Sequence, residues 1–280
     1  MLDRFEVLAD DLNHPEGVAW DPLTGTVYAG GEGGEIYAVT LDGEVVEVVS
    51  IDGSMLGLAV DGRGRVYACD AGNGEVVRFD PGSGDVITYA RGPGDEELDT
   101  PNACAFDAAG TLYISCSGED DPANAAIVRV SPDGDAQLWS VAASLYPNGI
   151  CTDAGGDGLL VVESRLPGLT RIPFLPDGSA GEPELVAMLP DTEPDGVALD
   201  ANGDAWITRY RPDGIVRVTP DGEVTVEAHD PLAHVFDAPT NLAFCGDDLA
   251  IAVVANVGDT MLHAADLGVR GHPLCYPELA

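Results

Sequence analysis

Glu16, Leu56, Asn102, Asn148, Asp195 and Asn241 each open the same phrase: a short apolar run, usually an Asp, a turn and a second apolar run. Their starts are separated by 40, 46, 46, 47 and 46 residues. A repeat that arranges equivalent positions around one axis brings these side chains together; five of the six carry oxygen, and two are carboxylates. Oxygen donors of that kind hold hard cations. Ca²⁺ takes about six to eight oxygens at roughly 2.3 to 2.6 Å, and two carboxylates balance its charge. Glu16, Asn102, Asn148 and Asp195 are the expected metal donors, with Ca²⁺ first among ions and Zn²⁺, Mn²⁺ and Mg²⁺ as alternatives. Four protein ligands leave positions for water or substrate, as a catalytic cation requires.

The elements that must position these residues are strands. A period of about 40 to 50 residues without helical patterning is that of a β-propeller, one blade per repeat. The third repeat shows the plan: Ala103-Cys-Ala-Phe, a turn at Asp107-Ala-Ala-Gly110, Thr111-Leu-Tyr-Ile-Ser, a loop, Ala126-Ile-Val-Arg-Val, a turn at Ser131-Pro-Asp-Gly134, then Ala136-Gln-Leu-Trp-Ser. Four short strands punctuated by Gly, Pro and Asp favour tight reversals. Pro-Asp-Gly recurs at Pro132, Pro176, Pro212 and Pro220 and is read as a hairpin tip. The sixth repeat lacks a clear fourth strand, and the segment Phe5-Glu-Val-Leu-Ala has strand character with no blade of its own. The expected fold is all-β: one six-bladed β-propeller domain over residues 1–280, its last blade closed by the N-terminal strand, which shelters the sheet edges.

Acidic residues number 49 against 12 basic ones, all of them Arg, for a net charge of −37. Such a surface repels nucleic acid and anionic membranes, so neither is an expected partner. It also destabilises the compact state by self-repulsion unless salt shortens the range of the field, to roughly 3 Å at 1 M. A cytoplasmic protein of a salt-adapted organism is therefore expected. The N-terminus is charged and lacks the apolar core of a signal peptide, and no apolar stretch approaches the roughly 20 residues that span a bilayer. The six cysteines show no CxxC spacing and read as buried thiols.

The segments Pro15-Glu16-Gly17-Val18-Ala19-Trp20-Asp21, Pro101-Asn102-Ala103-Cys104-Ala105-Phe106-Asp107, Pro147-Asn148-Gly149-Ile150 and Pro194-Asp195-Gly196-Val197-Ala198 resemble those of the SMP-30/gluconolactonase/LRE-like family, across essentially the whole chain. The resemblance implies a six-bladed propeller holding a divalent cation, usually calcium, and hydrolysing sugar lactones; the related diisopropylfluorophosphatases use a similar quartet. It implies Glu16, Asn148 and Asp195 as direct ligands, Asn102 as a fourth ligand or a substrate contact, and Asp195 as base or nucleophile. Two positions depart from the pattern: Val18 stands where many members carry Pro, and Thr100 stands where animal gluconolactonases carry an Arg.

The function expected is thus a metal-dependent hydrolase that opens a sugar lactone or similar small cyclic ester with cation-activated water. Phosphotriester or fluorophosphate hydrolysis at the same ion is the enzymatic alternative, favoured by a more apolar pocket. A non-catalytic propeller that binds a ligand or protein is the alternative of another class. Residues ending the second strands are expected to flank the ring, among them Asp70, Ser115, Ser117, Glu163, Ser164, Arg209, Tyr210 and Asn256. Substrate contacts are expected from Asn102, Thr100, Glu163, Arg209, Tyr210 and the loop histidine His234, with the loop Ser117–Asn124 shaping the pocket. The small-molecule substrate is the one partner implied; the sequence leaves oligomeric state open.

Overall fold

The computed structural model describes residues 1–280. It contains six four-stranded antiparallel sheets arranged as a β-propeller. The innermost strands are Pro15–Asp21, Met55–Val60, Pro101–Phe106, Pro147–Thr152, Glu193–Leu199 and Pro239–Cys245. In blades one to five the chain runs outward through four consecutive strands. The sixth, begun by Pro239–Cys245, Ile251–Asn256 and Leu262–Asp266, takes its outer strand from Glu6–Ala9, which pairs antiparallel with Leu262–Asp266. The expected ring closure is present, and Phe5, just ahead of that strand, packs edge-on against Phe236 with ring centroids 4.8 Å apart.

The hydrophobic effect acts between blades. One apolar cluster joins Ala19, Tyr28 and Ile36 of the first blade to Met55, Leu58 and Val60 of the second, and five further clusters fill the remaining gaps. Each fully buried Leu, Ile or Val contributes about 1.5 to 3 kcal/mol. Strand alternation sets which residues enter these layers. Three Pro-Asp-Gly tripeptides are hairpin tips between third and fourth strands, with Gly134, Gly178 and Gly222 at φ of 90°, 79° and 82°, a region that a side chain would strain. The fourth differs: Pro212 follows a cis peptide and its tripeptide joins the second and third strands of blade five. All six cysteines are free thiols, and only Cys275 is less than fully buried. No helix is long and apolar enough to cross a membrane.

After its last strand the chain forms a strap across the face opposite the ring residues. His272 N donates to Leu199 O at 2.8 Å, Tyr276 Oη to Trp20 O at 3.1 Å, and Gly62 N to Pro277 O at 2.9 Å. Arg65, itself paired with buried Asp61 at 2.7 Å, donates to the carbonyls of Leu279 and Ala280 at 3.1 and 2.9 Å. The strap covers an apolar cavity of about 90 Å³ on the propeller axis, which Leu274 and Tyr276 line together with Trp20, Phe106 and Phe244. Deleting residues 271–280 should therefore lower the melting temperature by about 5 °C or more, since it uncovers apolar surface and removes two acceptors from the Arg65 guanidinium. An unshifted thermal midpoint would show the strap to be dispensable.

Candidate metal centre

The inner strands do not run evenly to the rim. Each has a register irregularity at its first residues, between Pro15 and Val18, Met55 and Leu58, Pro101 and Ala103, Pro147 and Ile150, Pro194 and Val197, and Pro239 and Asn241. A bulge re-aims the side chain that it releases from the ladder. The residues so released are Glu16, Leu56, Asn102, Asn148, Asp195 and Thr240, all of which line one cavity. In four blades the residue before the proline has positive φ: His14 at 45°, Thr100 at 55°, Tyr146 at 64° and Ala238 at 52°. Non-glycine residues in that region are strained, and such strain gathers where a fold must hold particular groups.

The close approach of neighbouring blades at this level is permitted by glycine. A Cβ on Gly149 would lie 2.6 Å from the Asp195 carbonyl, and one on Gly196 would lie 2.6 Å from that of Thr240. Hydroxyl groups then tie the ring together. Ser115 donates to Asn148 O at 2.6 Å, Ser117 to Pro147 O at 2.8 Å, Ser164 to Pro194 O at 2.7 Å, Thr208 to Thr240 O at 2.8 Å and Thr240 to Glu16 O at 2.7 Å. Each bond runs from one blade to the rim residues of the next, so the positions of the donor side chains are locked in series.

Glu16, Asn102, Asn148 and Asp195 are each less than one-tenth exposed. No Arg or His forms an ion pair with either carboxylate. Glu16 Oε2 is buried without any hydrogen-bond partner. The cost appears in proton affinity. Burial, and then the charge of Asp195, raises the Glu16 carboxyl well above its ordinary range. Burial pushes the Asp195 carboxyl up to about 8, with the Asn148 amide opposing the shift and Glu193 reinforcing it. Two desolvated, unpaired carboxylates are costly unless they bind a proton or a cation. Glu16, Asp195 and the amide oxygens of Asn102 and Asn148 fit a hard divalent cation. No group of three or more His, Cys, Asp or Glu side chains is gathered to hold a metal, and the four donors of the ring are all oxygens, with no nitrogen or sulfur ligand among them.

The cavity over the ring has a volume of about 720 Å³, and four of its 17 lining residues are hydrophobic. Of the expected substrate contacts, Asn102, Thr100 and Tyr210 line it; Glu163, Arg209 and His234 do not. Glu163 is buried within blade four, accepting from Leu145 N at 3.0 Å and Thr170 Oγ1 at 2.8 Å. Arg209 is buried in blade five and donates to Ala228 O at 3.0 Å, and His234 is exposed on a loop. Both buried residues pair across the sheet with the rim proline, Glu163 with Pro147 and Arg209 with Pro194, and so face into the blade packing. The next residues along, Ser164 and Tyr210, reach the cavity.

Blade six corrects the repeat by one residue. Thr240 lines the polar cavity, whereas Asn241 lines the apolar axial cavity and its Oδ1 accepts from Leu242 N at 2.9 Å. Counting from the proline, as in Pro15-Glu16 and Pro147-Asn148, would have found the correct phase. Glu119, Tyr146 and Arg165 also line the cavity without having been singled out. Glu119 belongs to the Ser117–Asn124 loop expected to shape the pocket, and Tyr146 has the pre-proline position as its signal.

A family model described as the SMP-30/Gluconolactonase/LRE-like region matches residues 14–257. No curated protein matches the chain in sequence. Among solved structures, a gluconolactonase from Xanthomonas campestris is similar at a TM-score of 0.80 and 20% identity, over 95% of this chain and 89% of that one. A calcium-binding protein, regucalcin, from Agrobacterium tumefaciens is similar at 0.80 and 20%, over 98% and 96%. A virginiamycin B lyase from Staphylococcus aureus is similar at 0.68 and 16%, over 94% and 99%. At these identities the likeness is one of fold.

Proposed function

The chain belongs to the SMP-30/gluconolactonase/LRE-like family, and from that premise we propose that it is a divalent-cation-dependent lactonase acting on a hydroxylated cyclic ester. The observation that carries the reading is the pair of buried carboxylates, Glu16 and Asp195, with no cationic side chain to neutralise them. Glu16, Asn148, Asp195 and Asn102 would hold the ion. When bound, a divalent cation supplies Lewis-acid stabilisation of a developing oxyanion and makes nearby water more acidic.

The chain's own groups account for the rest. Asp195 Oδ accepts a proton from the attacking water as the water oxygen bonds to the ester carbonyl carbon. The tetrahedral centre then collapses, the ring C–O bond breaks, and the proton held on Asp195 returns to the departing alkoxide. Glu16, two blades further around the ring, keeps the site anionic, and the hydroxyl–carbonyl bonds between blades hold both carboxylates in place without reorganisation. Asn102, Thr100 and Tyr210 face the substrate from the walls.

A lining in which only four of 17 residues are hydrophobic favours a sugar-like lactone over a phosphotriester or fluorophosphate, for which an apolar pocket is expected. The charge balance of −37 supports a salt-rich working medium. A pH-indicator screen in high salt with Ca²⁺ tests the substrate class: aldonolactones should be opened with kcat/KM at least about tenfold above that for a neutral phosphotriester. The reverse preference would transfer the assignment to the phosphotriester reading, and no turnover despite a bound ion would make the protein a binding propeller.

A further inference from the structure

Arg165 is the one cationic side chain among the residues lining the cavity. It is planted on the wall rather than free in solvent. Its backbone N donates to Leu145 O at 3.0 Å, its guanidinium carbon stands 4.5 Å from the centroid of the Tyr146 ring, and its Nη2 is 3.4 Å from Glu119 Oε2. Tyr146 is in turn fixed by the rim, immediately before Pro147-Asn148 and with φ of 64°. The Arg165 side chain is about half exposed, and its one side-chain hydrogen-bond partner stands at 3.4 Å, which leaves most of its five N–H donors without a partner in the protein. Glu119, about equally exposed, offers carboxylate oxygens beside it.

Resting on the lactonase reading, we propose that Arg165 is the specificity-determining residue for substituents on the lactone ring, with Glu119 as its acceptor partner in a clamp for a neutral vicinal diol. A guanidinium presents parallel donors in a fixed plane, and a carboxylate beside it accepts the hydroxyl protons, so the pair matches adjacent hydroxyls in both senses. Charge selects the diol over a carboxylate as the group recognised. Glu16, Glu119, Glu193 and Asp195 line the same cavity. Even with a divalent cation bound, negative groups there outnumber positive ones, and Glu119 already offsets Arg165. A second negative charge on the substrate would meet repulsion.

The test compares wild-type, Arg165→Ala and Arg165→Lys protein, each with Ca²⁺, by calorimetric binding of three non-hydrolysable lactams: polyhydroxylated, unsubstituted, and carboxylated. Arg165→Ala should weaken the polyhydroxylated lactam about 10- to 100-fold more than the unsubstituted one, because the cavity wall loses its one charged donor. Lys, which keeps the charge but not the fork, should recover little of this difference. With the matching lactones, the loss should fall on KM and not on kcat, as for a contact made equally in ground and transition states. Equal weakening of the hydroxylated and unsubstituted lactams would overturn the clamp. So would a loss confined to the carboxylated lactam and restored by Lys, which would mark an anion site instead. The lactam comparison stands whether or not the matching lactones turn over, so failure of the hydrolase assignment is seen separately, in the rates.

Discussion

Replacing Asp195 with Asn should reduce lactone hydrolysis by about 10³-fold or more and, in the same protein freed of metal, increase stability. The two effects have one origin. Asp195 is buried, its carboxyl is pushed up to about 8, and it has no cationic side chain beside it. An amide cannot take the proton of the attacking water, so the contribution of general-base catalysis is lost, and with it part of the ion's negative surroundings. The same amide carries no charge to desolvate. At pH 8 in chelator the exchange should stabilise the protein by about 2 to 4 kcal/mol, which corresponds to about 5 °C or more in melting temperature. Loss of activity accompanied by a lower metal-free melting temperature would mean that Asp195 is a structural residue.

The second large effect is a link between pH, cation and stability. Both ring carboxyls have folded-state affinities for protons raised above their ordinary values, Asp195 from 3.8 to about 8. For a group raised in this way, the stability contribution is fully present below the unfolded value and is lost as pH rises through the folded one. Metal-free protein should therefore melt at progressively lower temperature between about pH 5 and pH 8.5, in the window set by Asp195. The carboxyls held low by hydrogen bonds, such as those of Asp99 and Asp230, act in the opposite sense and below this window. Saturating Ca²⁺ should supply the missing positive charge, so the gap between Ca²⁺ and chelator curves should be small at pH 5 and widest above pH 8. High salt in all samples screens the surface field of the −37 charge, which also changes with pH. Asp195→Asn should flatten the chelator curve. A gap that is constant with pH would place the bound ion away from these carboxylates.

The propeller was readable because its signals are periodic. Six apolar phrases 40 to 47 residues apart, Gly-containing turns and an orphan strand at Phe5–Ala9 each repeat or complete one pattern. Four of the rim residues, Glu16, Asn102, Asn148 and Asp195, were readable for the same reason. The failures are failures of phase and of irregular backbone. In Ala238-Pro-Thr-Asn241 two adjacent side chains carry oxygen; the apolar run that starts at Leu242 points to Asn241, whereas the bulge after Pro239 selects Thr240. Glu163 and Arg209 were misplaced because a strand alternates its faces: one residue further on, Ser164 and Tyr210 reach the cavity. The strap from Leu267 to Ala280 has no periodicity at all, and it is held by its own carbonyls accepting from Arg65 and Gly62 and by the Tyr276 hydroxyl donating to Trp20 O. Arg165 reads as an ordinary turn residue until the fold brings Glu119 and Tyr146 beside it.

The most direct measurement is the rate of proton release from an aldonolactone in high salt, by a single preparation assayed first with Ca²⁺, then after exhaustive chelation, and again after Ca²⁺ is restored. The ring of Glu16, Asn102, Asn148 and Asp195 predicts turnover that falls to the uncatalysed rate on chelation and returns on readdition. Turnover that persists undiminished in chelator would contradict a cation-dependent site at this rim.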